Sequence, residues 1–228
     1  MGFLDAAPTN ARRGVARMST LRIHTSPPPM LFRFFRERAH AERFCGGELR
    51  FGSYDYYANA PEPERRDEEE GKAEVLHPGR GSVGRRGDGV EQTTVIDTSP
   101  AYLLCLTSAD TAAHADMARR WGPFRVTIAE PEAVFAIIAD GFRAFPGAVG
   151  PLECGAVFYE DVVPTGTEPP SEEARAAARF SKRLMFAPEC EYRVVKTIDT
   201  RDGPRPDFIT LRTPGVSRHC VLHDLRAR

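Results

Sequence analysis

Residues 31–53 read LFRFFRERAHAERFCGGELRFGS, and this stretch sets the fold class. LFRFF (Leu31–Phe35) is short and aromatic and follows Pro27-Pro28-Pro29, so it reads as a strand entered from extended chain. ERAHAERFC carries a helical pattern that Gly46-Gly47 bring to a stop. Glu48–Ser53 (ELRFGS) then reads as a second strand, with Tyr54, Tyr56 and Tyr57 directly after it at the mouth of a loop.

Further along, TTVID and AYLLCLT read as strands, and Asp110 caps a helix, ADTAAHADMARRW, that stops at Gly122-Pro123. FRVTIA is another strand. Pro131 suits the first turn of the helix PEAVFAIIADGF, whose Val134, Phe135, Ile138 and Phe142 fall on one face. AVFYEDVV reads as a strand, Pro170-Ser171 open a helix running to Phe186 (SEEARAAARFSKRLMF), and EYRVVKTI, FITLR and CVLHDL close the chain as strands. The expected fold is α+β: a single domain over residues 30–228, with mixed or mostly antiparallel sheets and three or four helices. No G-x-G-x-x-G or Walker spacing joins a strand to a helix, which argues against a doubly wound sheet.

The chain has 228 residues, 31 Lys+Arg against 32 Asp+Glu, 19 Gly and 19 Pro. A near-zero net charge excludes a broad electrostatic footprint on nucleic acid or anionic membrane and leaves room for a local basic groove. No stretch approaches the roughly 18–20 apolar residues of a membrane span, so no membrane partner is expected. Residues 1–29 read as a disordered extension, with Met18 as an alternative start. Residues 58–92 read as a long loop, a lid or a solvated insert, in which PEPERRDEEEG precedes GRGSVGRRGDG. Five widely spaced cysteines without a C-x-x-C pair read as reduced thiols of a cytoplasmic protein. His219-Cys220-x-x-His223 is the one local spacing that metal would need; it falls in a strand and reads as packing, so no metal site is expected.

Glu189-Cys190-Glu191-Tyr192-Arg193 is the strongest chemical signal. On a strand, Glu189, Glu191 and Arg193 would share one face. That places two carboxylates and a guanidinium together, either as a polar site or as an exposed edge carrying a surface ion pair. There is no G-x-S-x-G elbow, H-E-x-x-H or kinase signature, and no nucleophile stands beside His223-Asp224 or Asp110…His114.

The order of features resembles a family of bacterial domains of unknown function found near mobile elements and defence systems. Its marks here are Leu31–Phe34, the G-x-L-x-F-x-S strand of Gly47–Ser53, the acidic D-x-x-E-G of Asp67–Gly71, Trp121-Gly122, and the closing pattern of a Lys, six to eight residues and then E-x-E-Y/F-R, from Lys182 to Arg193. That family is in turn similar to the ADP-ribosyltransferase superfamily, which places a basic or His residue on a first strand, a Ser, Thr or Tyr on a second, and a Glu, often in E-x-E, at the start of a late strand. The resemblance implies an ADP-ribosyltransferase-like fold and an enzyme, a glycosyltransferase that uses NAD as substrate to modify a nucleic acid or a protein. A toxin or phage-defence effector with an antitoxin partner fits that class. On this template Arg33 anchors a phosphate or ribose, Ser53 or Tyr54 is the second-strand residue, Glu191 is the catalytic carboxylate and Glu189 lies on the acceptor side. Tyr54, Tyr56 or Tyr57 would stack on nicotinamide or on a base. FGSY stands where a Ser-Thr-Ser would follow the second strand, and Arg33 stands where a His would mark the other subclass.

Two rival readings stay open from the residues alone. One is a non-catalytic module that binds protein or nucleic acid through the tyrosines and Arg80, Arg85 and Arg86; the other is a hydrolase using the same carboxylates. With no functional role, Lys182 reads as a solvated lysine on a helix, four residues after Ala178.

Overall fold

A computed structural model describes residues 20–60, 68, 72–77, 92–97, 100–160, 178–199 and 205–226. In chain order the elements begin with β1 (Leu21–Ile23), β2 (Met30–Phe35), α1 (Arg38–Cys45), β3 (Glu48–Ser53), α2 (Tyr54–Ala58) and β4 (Lys72–His77). There follow β5 (Gln92–Asp97), β6 (Ala101–Thr107), α3 (His114–Trp121), β7 (Phe124–Ala129), α4 (Pro131–Phe142) and β8 (Ala148–Ala156). The last are β9 (Phe158–Tyr159), β10 (Ser181–Lys182), β11 (Glu191–Ile198), β12 (Phe208–Arg212) and β13 (Cys220–Asp224). Short 3-10 turns lie at Thr111–Ala113, Leu184–Glu189 and Pro214–His219.

Nine strands form one sheet in the order β1-β8-β11-β6-β2-β7-β13, with β3 attached to β6 and β12 to β3. Every pairing in it is antiparallel except β1 with β8. The α+β class and the mostly antiparallel sheet agree with the sequence reading, and the described residues hold four α-helices.

The sheet splits at β6. One side of β6 pairs with β11 along its whole length, from Glu191↔Thr107 to Thr197↔Ala101. On the other side, β3 takes Tyr102 and Leu103 and β2 takes Thr107 alone. Residues 104–106 therefore meet no strand there, and the diverging β2 and β3 open a cleft above them.

Burial explains why the chain holds this shape. The apolar face of α4, Val134, Phe135, Ile138 and Phe142, is at most 2% exposed. Phe135 stacks on Tyr192 of β11 (5.6 Å, 7°), and Phe142 meets Phe51 of β3 edge-on at 5.2 Å. Each such ring contributes about 1.5–3 kcal/mol by leaving water. Between α3 and β7, Gly122 has φ +118°, and a Cβ there would lie 2.2 Å from the Phe35 carbonyl oxygen, so only glycine lets this corner pass the end of β2.

Four boundaries differ from the sequence reading. The fold begins before residue 30: β1 pairs with β8 in parallel, the His24 amide donates to Cys154 O (2.8 Å), and the Tyr192 hydroxyl donates to Thr25 O (2.7 Å). Hydrogen bonds to a buried strand thus order a segment whose composition looks like a tail; residues 1–19 lie outside the described residues. Within the 58–92 stretch, Lys72–His77 is strand β4, paired with β5, and most of the remainder lies outside the described residues. The helix expected to reach Phe186 ends earlier, because Ala178 and Arg179 are helical while Ser181–Lys182 is β10, paired in parallel with β9. Finally, AVGPLECGA is the nine-residue strand β8, which Gly150, Pro151 and Gly155 disguise in the sequence.

Candidate functional site

The cleft at the split has a volume of about 550 Å³, and Arg33, Tyr57, Glu189 and Glu191 all line it. Residues 158 positions apart in sequence are brought to one wall because β2 and β11 lie on opposite sides of β6.

The two glutamates arrive there by an unexpected route. They do not alternate on a strand: Glu189 ends a 3-10 turn, Cys190 takes a left-handed conformation (φ 44°, ψ 48°), and β11 starts at Glu191. Left-handed backbone at a residue with a Cβ costs about 1–2 kcal/mol. The end of β6 holds the corner in place. Thr107 Oγ1 donates to Glu189 O (2.7 Å), and both the Ser108 amide (2.8 Å) and its hydroxyl (3.0 Å) donate to Cys190 O. The Glu191 amide in turn donates to the Tyr159 hydroxyl at 2.6 Å. Strain held this way at a cleft is a mark of functional sites.

An exposed edge is ruled out for this strand, since β11 lies between β8 and β6, Arg193 is 0% exposed and Glu191 5%. Lys182 bridges the carboxylates, with Nζ 2.7 Å from Glu189 Oε2 and 3.1 Å from Glu191 Oε2. The lysine read as solvated on a helix is thus a nearly buried cation on β10. Arg193 donates from Nε to Glu191 Oε1 (2.9 Å) and from Nη1 to Arg179 O (2.8 Å), and Arg120 lies 3.2 Å from Glu189.

Burial alone would raise the Glu191 carboxyl, but Arg193 and Lys182 outweigh it and hold the group ionised, well below the usual carboxylate range. Burial raises Glu189, and the Glu191 charge adds to this while Lys182 opposes it. Environment therefore separates the two carboxylates: one is a fixed anion, the other the more readily protonated.

Two further groups reach Glu191. Cys105 and Tyr57 lie beside it in the cleft; burial pushes both of these acids well above their ordinary values, and the Glu191 charge adds to the rise. Tyr57 occupies this place because β3 ends in Gly52-Ser53. A Cβ on Gly52 would lie 2.7 Å from the Tyr57 ring, and the Ser53 hydroxyl caps α2 by accepting from the Tyr56 amide (3.0 Å).

Arg33 faces the cleft from β2, with its guanidinium carbon 5.5 Å from the centroids of both Phe35 and Phe44. Its Nη1 is buried and has no hydrogen-bond partner among the described residues. A buried cationic N–H without an acceptor is costly, and an anionic ligand would satisfy it.

Ser53 and Tyr54 are not brought to the cleft. Ser53 is spent on the helix cap, while Tyr54 is 3% exposed in a second core cluster and donates to Arg179 O at 3.4 Å. Sequence reasoning missed Cys105, which reads as core within LLCL, and Arg120, which reads as an exposed helix residue. Lys182 carried a signal in its spacing to the E-x-E pair, and its assignment to a helix obscured that signal.

Comparison of the chain with protein-family models, curated proteins and solved structures returned no match. No helix among the described residues is long and apolar enough to cross a membrane.

Proposed function

We propose that the protein is an ADP-ribosyltransferase-like enzyme that uses NAD as substrate to modify a macromolecule, in the manner of a toxin or defence effector. The observation that carries the reading is the meeting of Arg33, Tyr57, Glu189 and Glu191 in one cleft at a split sheet. The cleft volume of about 550 Å³ falls in the range of small-molecule sites. The unsatisfied Arg33 Nη1 fits a phosphate oxygen.

In this reading Arg33 holds the pyrophosphate and Tyr57 offers a ring face to nicotinamide. Glu191, kept anionic by Arg193 and Lys182, stabilises the positive charge that grows on the ribose as the C1′–N bond breaks and nicotinamide leaves with the bonding pair. The acceptor atom forms the new bond to C1′, and Glu189 takes its proton. Glu191 already receives hydrogen bonds from Arg193 Nε (2.9 Å), Arg193 Nη2 (3.5 Å) and Lys182 (3.1 Å). Those donors leave open one of the roughly four acceptor sites of a carboxylate, and a ribose hydroxyl would take it.

Two measurements on the full chain test the reading. NAD at millimolar concentration should raise the melting temperature, because a ligand of the native state stabilises it. Glu191→Gln should lower nicotinamide release by about 100- to 1,000-fold, the usual cost of losing such a charge-stabilising group. Nicotinamide release that is absent from the wild type, or unchanged in a folded Glu191→Gln protein, removes the proposal.

A further inference from the structure

The charges of the cleft bear on the acceptor. Three of the four carboxylates in its lining have a cation beside them: Glu48 has Arg212 at 3.8 Å, and Lys182 serves both Glu189 and Glu191, while the fourth, Glu37, is exposed. Glu189, the acceptor-side residue of the template, is held by Lys182 and Arg120 together and its side chain is only 11% exposed. It has no room for a guanidinium or ammonium brought by an acceptor.

The opposite rim has the reverse character. Arg50, exposed on β3, has no carboxylate partner among the described residues and lies flat on Phe208, 3.2 Å from the ring centroid. Phe208 meets Tyr56 at 4.1 Å, and Tyr56 meets Tyr57 at 5.2 Å. Arg50, Phe208, Tyr56 and Tyr57 form a ladder, and all four line the cleft together with Cys105 and Glu191. An unpaired guanidinium beside half-buried rings is the pairing that tracks a phosphate backbone while bases stack.

We propose that this ladder binds single-stranded nucleic acid, a phosphate on Arg50 and a base against Phe208 and Tyr56, and that the bound strand is the acceptor. The acceptor role rests on the transferase reading, whereas the binding surface does not require it. In the transfer, a hydroxyl oxygen or base nitrogen of the strand bonds to C1′ of the NAD ribose. The C1′–N bond breaks with its electron pair going to nicotinamide, and the strand's proton passes to Glu189.

The test is fluorescence anisotropy of fluorescein-labelled 12-nucleotide RNA and DNA strands titrated with the full chain, without NAD, from 50 to 300 mM salt. Saturable binding that weakens with salt is expected. Arg50→Gln should make the log–log salt slope shallower by about 0.7, the value of one phosphate contact on a single strand. Tyr56→Leu should weaken binding by about 5- to 150-fold, the range for loss of one stacking ring. No binding at 50 mM salt, or affinity and slope unchanged in both variants, overturns the surface; the second result would place binding elsewhere on the chain. A second arm supplies biotin-labelled NAD to a mixture of the strand, casein and lysozyme. Label on the strand supports the acceptor, and label on either protein instead overturns it. Label on nothing, with the strand still bound through Arg50 and Tyr56, overturns the transferase reading and the acceptor role and leaves the binding surface standing.

Discussion

At the β10–β11 end of the cleft Glu189, Glu191, Lys182, Arg193 and Arg120 neutralise one another, whereas at the β2–β3 end Arg33 and Arg50 face the same space with no carboxylate partner among the described residues. Both ends carry strong charge, yet they do different work. The paired end has its charge satisfied within the fold, so removing a cation there should cost stability as well as activity. At the unpaired end the charge is left for a ligand, and alteration should leave folding alone.

The largest effect that separates the ends is expected from Lys182→Met. Removing the common cation strands two carboxylates in a nearly buried space, which costs about 3–5 kcal/mol at pH 7. Urea unfolding followed by circular dichroism measures this, and a loss under 1 kcal/mol would place the bridge at the solvent-screened level of a surface pair. The deficit should shrink toward pH 4.5, the ordinary value for the group, as Glu189 takes up a proton and the repulsion goes.

Gly52→Ala comes next. The new Cβ would contact the Tyr57 ring at 2.7 Å and drive it from Cys105, at a cost of about 1–3 kcal/mol. The expected readouts are a lower urea midpoint and a downward shift of the Tyr57 titration seen by ultraviolet absorbance, because burial is what raises that phenol. An unmoved tyrosine titration would mean that the ring keeps its place by other contacts.

A smaller effect concerns pH. Folding raises the Glu189 titration, so ionising this group is harder in the native than in the unfolded state. Its contribution to stability is full below its unfolded value near 4.5 and is lost as pH rises through its folded value. Glu191 runs the opposite way: its contribution is present above the unfolded value and lost only as pH falls through its much lower folded value. Glu189→Gln should therefore remove a decline in stability just above pH 4.5 and leave the acid limb due to Glu191 in place. A denaturation series from pH 3 to 8 resolves the two, and an unchanged profile between pH 4.5 and 7 contradicts the assignment.

The smallest stability effect, and the sharpest contrast, belongs to Arg33→Gln and Arg50→Gln. Each should change unfolding free energy by no more than about 1 kcal/mol, because neither has an ion-pair partner among the described residues and each gives up only its contacts with aromatic rings. Arg33→Gln should nevertheless abolish the NAD-induced rise in melting temperature. If either variant unfolds the protein, the distinction between the two ends fails.

Legibility from sequence follows the range of the forces. The runs ELRFGS, AYLLCLT, FRVTIA, EYRVVKTI and PEAVFAIIADGF appear as β3, β6, β7, β11 and α4, because a local apolar pattern fixes their period. The strand β8 did not appear, because Gly150, Pro151 and Gly155 break that pattern while pairing with β11 restores the strand. The site was legible as residue types and not as geometry. Glu153 on β8 is as deeply buried as Glu191, at 3% exposed, and is also held by an arginine, Arg179. Its other partners, Arg22 at 3.7 Å and the His24 ring at 3.5 Å, belong to the segment of β1, so it fastens that segment to β8 instead of lining the cleft. Nothing in PLECG or ECEYR distinguishes the two roles.

By itself the sequence determined the class of the fold, most of its elements and the set of residues from which a site could be built, since hydrophobic period, turn residues and side-chain chemistry act over a few neighbours. Only the tertiary structure decided that β6 is shared unequally by β2 and β3, which is what opens the cleft. It also decided that Cys190 turns left-handed, so that Glu189 and Glu191 meet on Lys182, and that Arg33 and Arg50 have no carboxylate partner among the described residues. Those outcomes depend on pairings between strands distant in the chain and on burial that sets which charge finds a partner, and no local pattern encodes either.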